Sequence, residues 1–401
     1  MQFDVVIVGG GPVGLAMAST LSGAGLSIAV VERAAQAELA TPAFDGREIA
    51  MTHLSHEIME RIGAWGLIPE GDISPLREAR VLNGGSPFAM RFDPSGRGKE
   101  VLGHLAPNHL IRRSLYETAN ACADVSIFAG VAVTEVRREE AGAEVELADG
   151  QVLDAKLVIA ADTRFSAIRR AQGIGAEMRD FGKTMMVCRI ALEKPHDHVA
   201  TEWFGYGQTF ALLPLNDLPD GRHQASAVVT LTPDAMARLM ALDDEALGAE
   251  LTRRYERRLG RMTVIGSRHC YPLVATYANR FQARRLALIG DAAVGMHPVT
   301  AHGFNFGLRG AADLARRIKE QAQHGKDIAD PAMLAAWEAS HRRATWVLYQ
   351  ATNVTAKLFT DDRPPARLLR DLGLRLGGLL PPVRKTVLAH LMESRRPAAA
   401  R

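Results

Sequence analysis

Cysteine is scarce in this chain. Cys122, Cys188 and Cys270 lie far apart, with no CxxC pair and no even-numbered set. That excludes a disulfide framework and a zinc site built from cysteine pairs, and it fits a reducing, cytoplasmic setting. Aromatic residues make up 6% of the 401 positions. With so few, and with no basic stripe or known module beside them, nucleic-acid binding is not expected. Nor does charge of one sign dominate: 48 Lys and Arg face 45 Asp and Glu, a net +3. At 47% hydrophobic and 23% charged content the chain can bury a large core as one large or two closely joined domains. The excess charge is local, because residues 361–401 hold nine bases and four acids, leaving that segment at +5 and the remainder at −2.

Residues 5–31 carry no charged side chain at all, yet they do not read as a membrane span. Gly9, Gly10, Gly11 and Pro12 would break a spanning helix in its middle, and no basic segment precedes the apolar run as a signal peptide requires. FDVVIV is instead a β-branched run that ends in glycines, PVGLAMASTLSGAG has helical spacing with Pro12 near its start, and LSIAVVE is a second strand. Together they predict a βαβ unit.

Helices are expected near His53–Trp65 and Asn108–Ala121, with loops and short strands between 71 and 100. Strands and turns alternate to about residue 162. Residues 176–272 then mix alternating apolar runs (MMVCRIAL, TFALLPL, ASAVVTL) with one helix near Asp243–Arg258, as in an antiparallel sheet with helical cover. The expected fold is α/β: a three-layer, Rossmann-like dinucleotide-binding domain (1–75, 106–175 and 273–330), an inserted mixed or antiparallel β-sheet substrate domain (76–105 and 176–272) and a helical C-terminal region with a basic tail (331–401). Neither internal repeats nor low-complexity stretches occur.

Gly9, Gly11 and Gly14 form GxGxxG directly between a strand and a helix, the context in which this motif binds dinucleotides. Gly9 permits a tight turn, Gly11 lets backbone approach phosphate, and Gly14 allows close packing of helix on sheet. Glu32, eighteen residues beyond Gly14 at the end of the second strand, is placed to accept hydrogen bonds from a ribose, with Arg33 beside it. This motif does not separate FAD from NAD. A second Gly-rich turn does: LALIGDAAVGMHP sets Asp291 after a strand and ahead of a loop leading into a helix, where a carboxylate can bind sugar or ribityl hydroxyls. A dinucleotide contact so late in the chain favours FAD.

GGGPVG and GDAAVGMHPVTAHGFNFGL resemble the two FAD motifs of the flavoprotein aromatic hydroxylases, and within that family the likeness is greatest to the ubiquinone-biosynthesis ring hydroxylases. It runs from about residue 3 to about 330 and takes in DGREIAMTHLS, with Arg47, and NHLIRRSL, with Asn108 and Arg112. The resemblance implies that Arg47 and Arg112 help hold the flavin or its phosphates, and that Gly303 and Asn305 belong to the cofactor site. It implies that NADH or NADPH reduces FAD, that dioxygen adds at the flavin 4a carbon, and that the resulting hydroperoxide hydroxylates an electron-rich ring. The substrate would be a polyprenylated phenol or quinol. The loop Gly295–Gly303, with His297 and Pro298, would lie against the isoalloxazine, where backbone amides favour a reduced, anionic ring.

Two departures stand out. The middle motif reads ADTRFSAIRR, with Asp162, Ser166 and Arg169 at the expected places but Thr163 where the family has glycine, which narrows backbone freedom where a pyridine nucleotide would dock. The flavin loop reads TAHGFN where GQG is common, bringing Ala301 and His302 to the presumed ring edge. His302 is the candidate for contacting a phenolic substrate, with packing beneath the loop as the alternative role, and His297 is expected to shape its loop. His196 and His198 lack a supporting acidic cluster and are read as solvated, so no metal is expected. Leucines paired with bases in 366–396 suit an anionic lipid surface or a partner complex, or a packed C-terminal helix. Two alternatives stay open: a monooxygenase of a soluble phenol, and a non-catalytic FAD-binding scaffold.

Overall fold

A computed structural model of the chain describes residues 1–84, 89–94, 99–205, 207–297 and 303–360. Its N-terminal unit begins with β1 (Gln2–Val8), α1 (Pro12–Leu21) and β2 (Ile28–Glu32). Both strands run parallel, with Val5 beside Ile28 and Val8 beside Val31. Such strands are covered on both faces, and Val5, Val6, Ile7, Ile28, Ala29 and Val30 are fully buried. Each Val or Ile sealed away in this way contributes about 1.5–3 kcal/mol. The sheet continues on the far side of β1 through Val152–Ala160 and Leu286–Leu288, both parallel, and beyond β2 through Val125–Ala129, also parallel. The hairpin Val133–Arg138 and Ala143–Leu147 pairs with the start of Val152–Ala160.

A second sheet of nine strands holds Val294–Gly295, His269–Ala278, Ala176–Leu192, His223–Leu231, Gln208–Pro214, Val199–Gly205, Glu78–Asn83 and Ala89–Phe92 in that spatial order, with Met262–Val264 paired to Ala176–Leu192. Alternation along these strands sorts its two faces. Met186, Cys188, Ile190, Ala225, Ala227, Val229, Trp203, Phe210 and Leu212 form a core with Leu239, Leu247 and Leu251 from two covering helices. The opposite face looks toward the N-terminal unit. The seventeen-residue strand Ala176–Leu192 enters both cores: Phe181 packs against the first and Met186–Leu192 line the second. A small third sheet is formed by Glu48–Met51, Gly103–Pro107 and Ser74–Leu76.

One helix was expected in the inserted region; the structure has two, Pro233–Met240 and Asp244–Arg254. Pro233 sits in the first helical turn after Thr232, and Asp243 caps the second helix by accepting from the Ala246 amide at 2.7 Å. Such a cap is worth about 0.5–2 kcal/mol and separates the two helices at Leu242 and Asp243. C-terminally, the helices Gly303–Gln323 and Pro331–Thr360 complete the described fold. No helix among the described residues is long and apolar enough to cross a membrane.

Candidate cofactor and substrate site

The turn between β1 and α1 separates the roles of its glycines. Gly9 has φ +115°, and a Cβ there would stand 2.5 Å from the Ala161 carbonyl oxygen. At Gly14 a Cβ would stand 2.0 Å from the Gly9 carbonyl oxygen and 3.2 Å from the Ala161 Cβ, so the helix lies directly on the sheet. At Gly11 a Cβ would meet nothing within 4 Å. Gly11 is the helix N-cap, has no side-chain cap, and leads to Pro12 with no acid in the first turn. Open space therefore lies beside the positive dipole end of a ten-residue helix, a setting that suits an anion.

Glu32 at the end of β2 accepts from the Gly10 amide at 2.7 Å and from the Ala34 amide at 2.9 Å. One carboxylate thus ties the glycine turn to the strand, and each oxygen keeps a lone pair for a further donor. Arg33, exposed, borders a recess of about 570 Å³ with Phe128, Gly130 and Val131.

The second Gly-rich turn meets the first. A Cβ at Gly290 would stand 3.2 Å from Val13, and one at Gly307, on the helix Gly303–Gln323, 2.6 Å from it. Two turns nearly three hundred positions apart in the chain are thus in contact around α1. Asp291 is not free here: it pairs with Arg164 at 3.0 Å, and Arg164 also donates to the Val274 carbonyl. Arg164, from the middle motif, is a residue the sequence reading passed over.

Within that motif Asp162 is half-buried, accepts from the Ala167 amide, and leaves its other oxygen without a hydrogen bond; desolvation pushes its carboxyl up. Ser166 caps a short helix by accepting from the Arg169 amide at 3.0 Å. Arg169 is buried and donates to the carbonyls of Ala292 and Arg164, pinning the second Gly-rich turn. Thr163 does not have the left-handed backbone that would call for glycine, so the departure from the family pattern brings no strain there.

Arg47, Asp45 and Asn108 come together. Asp45 accepts from Arg47 at 2.6 Å and from Asn108 at 2.7 Å, and the Asn108 amide donates to the Arg47 carbonyl. These donors hold the Asp45 carboxyl below its usual value despite burial. Arg112 on the helix Asn108–Asn120 is half-buried and has no hydrogen-bond or ion-pair partner among the described residues. A cation in that state fits a phosphate.

Asn305 is buried, and its side chain is engaged by protein. It accepts from the Thr52 amide at 3.0 Å and donates to the Ala50 carbonyl at 2.8 Å. Its side chain therefore fastens the helix starting at Gly303 to the strand Glu48–Met51, where a direct cofactor contact was expected. His297 is buried edge-on against Phe181, and burial pushes its imidazole down to about 4, so it is neutral at pH 7. Pro298, Ala301 and His302 lie outside the described residues, as does the basic tail.

The second sheet closes over this region through pairs invisible to sequence spacing. Arg189 donates to Glu48 at 2.8 and 3.0 Å, and the Glu48 side chain is wholly buried. Desolvation outweighs Arg189 and raises the Glu48 carboxyl to about 7. Tyr271 donates to the Asp45 carbonyl at 2.6 Å, and the Arg47 guanidinium lies 5.3 Å from the centre of the Tyr271 ring. The expectation of solvated histidines at 196 and 198 fails for the first: His196 is buried, with Nε2 at 3.0 and 2.9 Å from the Leu215 and Gln224 carbonyls and Nδ1 accepting from the His198 amide. Its role is to close a loop.

A family model described as "FAD binding domain" matches residues 2–352. The chain is 44% identical over 395 residues to the ubiquinone hydroxylase UbiM of Neisseria meningitidis, covering 98% of this chain and 85% of that protein. It is 34% identical over 389 residues to the ubiquinone hydroxylase UbiL of Rhodospirillum rubrum, covering 97% and 89%. Among solved structures it is similar to PqsL, a probable FAD-dependent monooxygenase from Pseudomonas aeruginosa, with TM-score 0.75 and 23% identity over 94% of this chain and all of that one. A p-nitrophenol 4-monooxygenase, PnpA from Pseudomonas putida, gives TM-score 0.76 at 19% identity, covering 98% and 99%. These two likenesses show the fold, an α/β frame with a Rossmann-like FAD-binding part.

Proposed function

This chain belongs to the FAD binding domain family, and from that membership we propose that it is an FAD-dependent monooxygenase hydroxylating the ring of a polyprenylated phenol or quinol on the way to ubiquinone. The observation that carries the reading is the 44% identity to a ubiquinone hydroxylase across 98% of the chain. A likeness confined to the cofactor frame would leave the substrate open, whereas this one runs through the second sheet as well.

Bound FAD supplies the redox chemistry, accepting electrons from NADH or NADPH and activating dioxygen for transfer of one oxygen atom to the ring. The residues fit that cofactor. The α1 N-terminus and Gly11 would take the pyrophosphate, with Arg47 and Arg112 as countercharges. Glu32 would hold the ribose, the recess at Arg33 and Val131 the adenine, and Asp291 the ribityl chain. His297, neutral and buried, would shape the loop beside the ring without adding charge. The second sheet would exclude water from the oxidising centre, with residues 76–105 and 176–272 as the substrate lobe. The protein would work in the cytoplasm, with the tail beyond residue 360 bringing it to the inner membrane or to partner enzymes.

Purified protein should carry FAD and oxidise NADH or NADPH faster when a short-chain phenolic precursor is added. A deletion strain should accumulate a ubiquinone precursor; normal ubiquinone in that strain would overturn the substrate assignment. Removing residues 366–401 should lower liposome binding more than FAD content.

A further inference from the structure

Glu202 lies on the strand Val199–Gly205, in a rung of the second sheet that reads Val81, Glu202, Ala211, Val228, Val187, His269 from strand to strand. Side chains at paired positions share a face. That face is the one turned toward the cofactor unit, because Gly46 at φ +73° abuts it: a Cβ there would stand 2.8 Å from both Val187 and His269. Arg189 and Tyr271, on neighbouring rungs of the same face, reach Glu48 and Asp45. Strands are spaced about 4.8 Å apart, so Glu202 sits roughly 14 Å across the sheet from Val187, a span that accommodates a substituted ring.

Most of its rung is apolar, yet Glu202 itself has no hydrogen-bond or ion-pair partner among the described residues. It is only half-buried, so it touches open space, yet protein surrounds it closely enough that desolvation alone raises its carboxyl to about 8. Two more polar groups on this face are buried and unpartnered: the Ser226 hydroxyl, opposite Arg189, and the Asn83 carbonyl oxygen, beside Phe204. Arg189 and Tyr271, on the same face, are matched within the protein. Without a partner, the charged form of a carboxyl in such a place is disfavoured.

We infer that the Glu202 carboxyl is the specificity-determining contact of this enzyme, receiving a ring hydroxyl of the substrate on the face of the second sheet that looks toward the cofactor unit. This deepens the reading above and rests on it. At neutral pH the carboxyl is in its acid form, so it both accepts from a phenolic O–H and donates to a neighbouring ring oxygen. The Tyr255 hydroxyl, which donates to the Ala211 carbonyl from the helical side of the sheet, is the titratable group electrostatically coupled to it.

The test uses the FAD-loaded full chain and two probes, 2-(3-methylbut-2-enyl)phenol and its methyl ether, with Kd read from the change in flavin absorbance. Wild type should prefer the phenol by about tenfold, the value of one hydrogen bond of about 1.4 kcal/mol. Glu202→Leu should bind both probes equally, and Glu202→Gln, which can still donate and accept, should keep part of the preference. Should Glu202→Leu not fold, Glu202→Ala is read in the same way. An undiminished preference in the leucine or alanine variant overturns the assignment of Glu202 and leaves the proposed function standing. Failure of wild type to bind either probe overturns both.

Discussion

Replacing Gly11 with alanine should separate stability from cofactor affinity. Its backbone, at φ −72° and ψ 174°, is ordinary extended geometry that alanine adopts without strain, and the new methyl would meet no protein atom within 4 Å. A Gly→Ala change at a compatible site stabilises by about 0.4–1 kcal/mol, through the unfolded chain. For a protein of 401 residues that raises the melting temperature of the cofactor-free form by about 1 °C or less. The same methyl would stand in front of the α1 amides, where the pyrophosphate has to come, and FAD affinity should fall at least about tenfold. Gly14→Ala makes the contrast. Its methyl, 2.0 Å from the Gly9 carbonyl oxygen, has to push helix from sheet, an overpacking cost of about 1–3 kcal/mol that lowers the melting temperature as well as affinity. Thermal melts of the apoprotein and FAD titration by fluorescence quenching measure both quantities. If Gly11→Ala takes up FAD as tightly as wild type, no phosphate approaches at that turn and the cofactor assignment fails.

Asn305→Ala leaves the Ala50 carbonyl and the Thr52 amide unpaired, and a urea midpoint should record a loss of about 1–3 kcal/mol for each group left buried. Arg189→Met strands the buried Glu48 carboxylate and should cost about 3–5 kcal/mol at pH 8, most of it recovered when Glu48→Gln is added. Glu202 has a folded value raised from 4.5 to about 8, so the native state holds its proton more tightly than the unfolded chain. Its contribution is fully present below about pH 4.5 and disappears as pH rises through about 8. The melting temperature of wild type should accordingly fall relative to Glu202→Gln across that window, and parallel curves would show that Glu202 is not desolvated.

Local pattern carried a good part of this structure. The run FDVVIV, its glycines and Pro12 marked β1 and α1 because strand, turn and helix start are each determined within a few residues. The division between the Pro233 and Asp243 helices was missed, although Thr232, Pro233 and Asp243 together carry its signal. Pairings were a different matter. Nothing in the neighbourhood of Arg164 announces Asp291, 127 positions away, and nothing near Glu48 announces Arg189, 141 positions away. Such contacts arise from sheet register, which depends on the whole fold. His196 looked solvated because its sequence neighbours are charged and polar, whereas its burial comes from Leu215 and Gln224.

The strand Ala176–Leu192 bears on how the molecule can move. A beam of seventeen residues anchored in one core by Phe181 and in the other from Met186 onward cannot swivel like a linker. Its ladder with His269–Ala278 lapses at one place, between Asp180 and Thr184, where Gly182 takes φ +60°. Any tilt of one lobe on the other has to be absorbed at that joint, which makes a two-residue defect in hydrogen bonding the natural pivot for admitting a bulky, greasy guest.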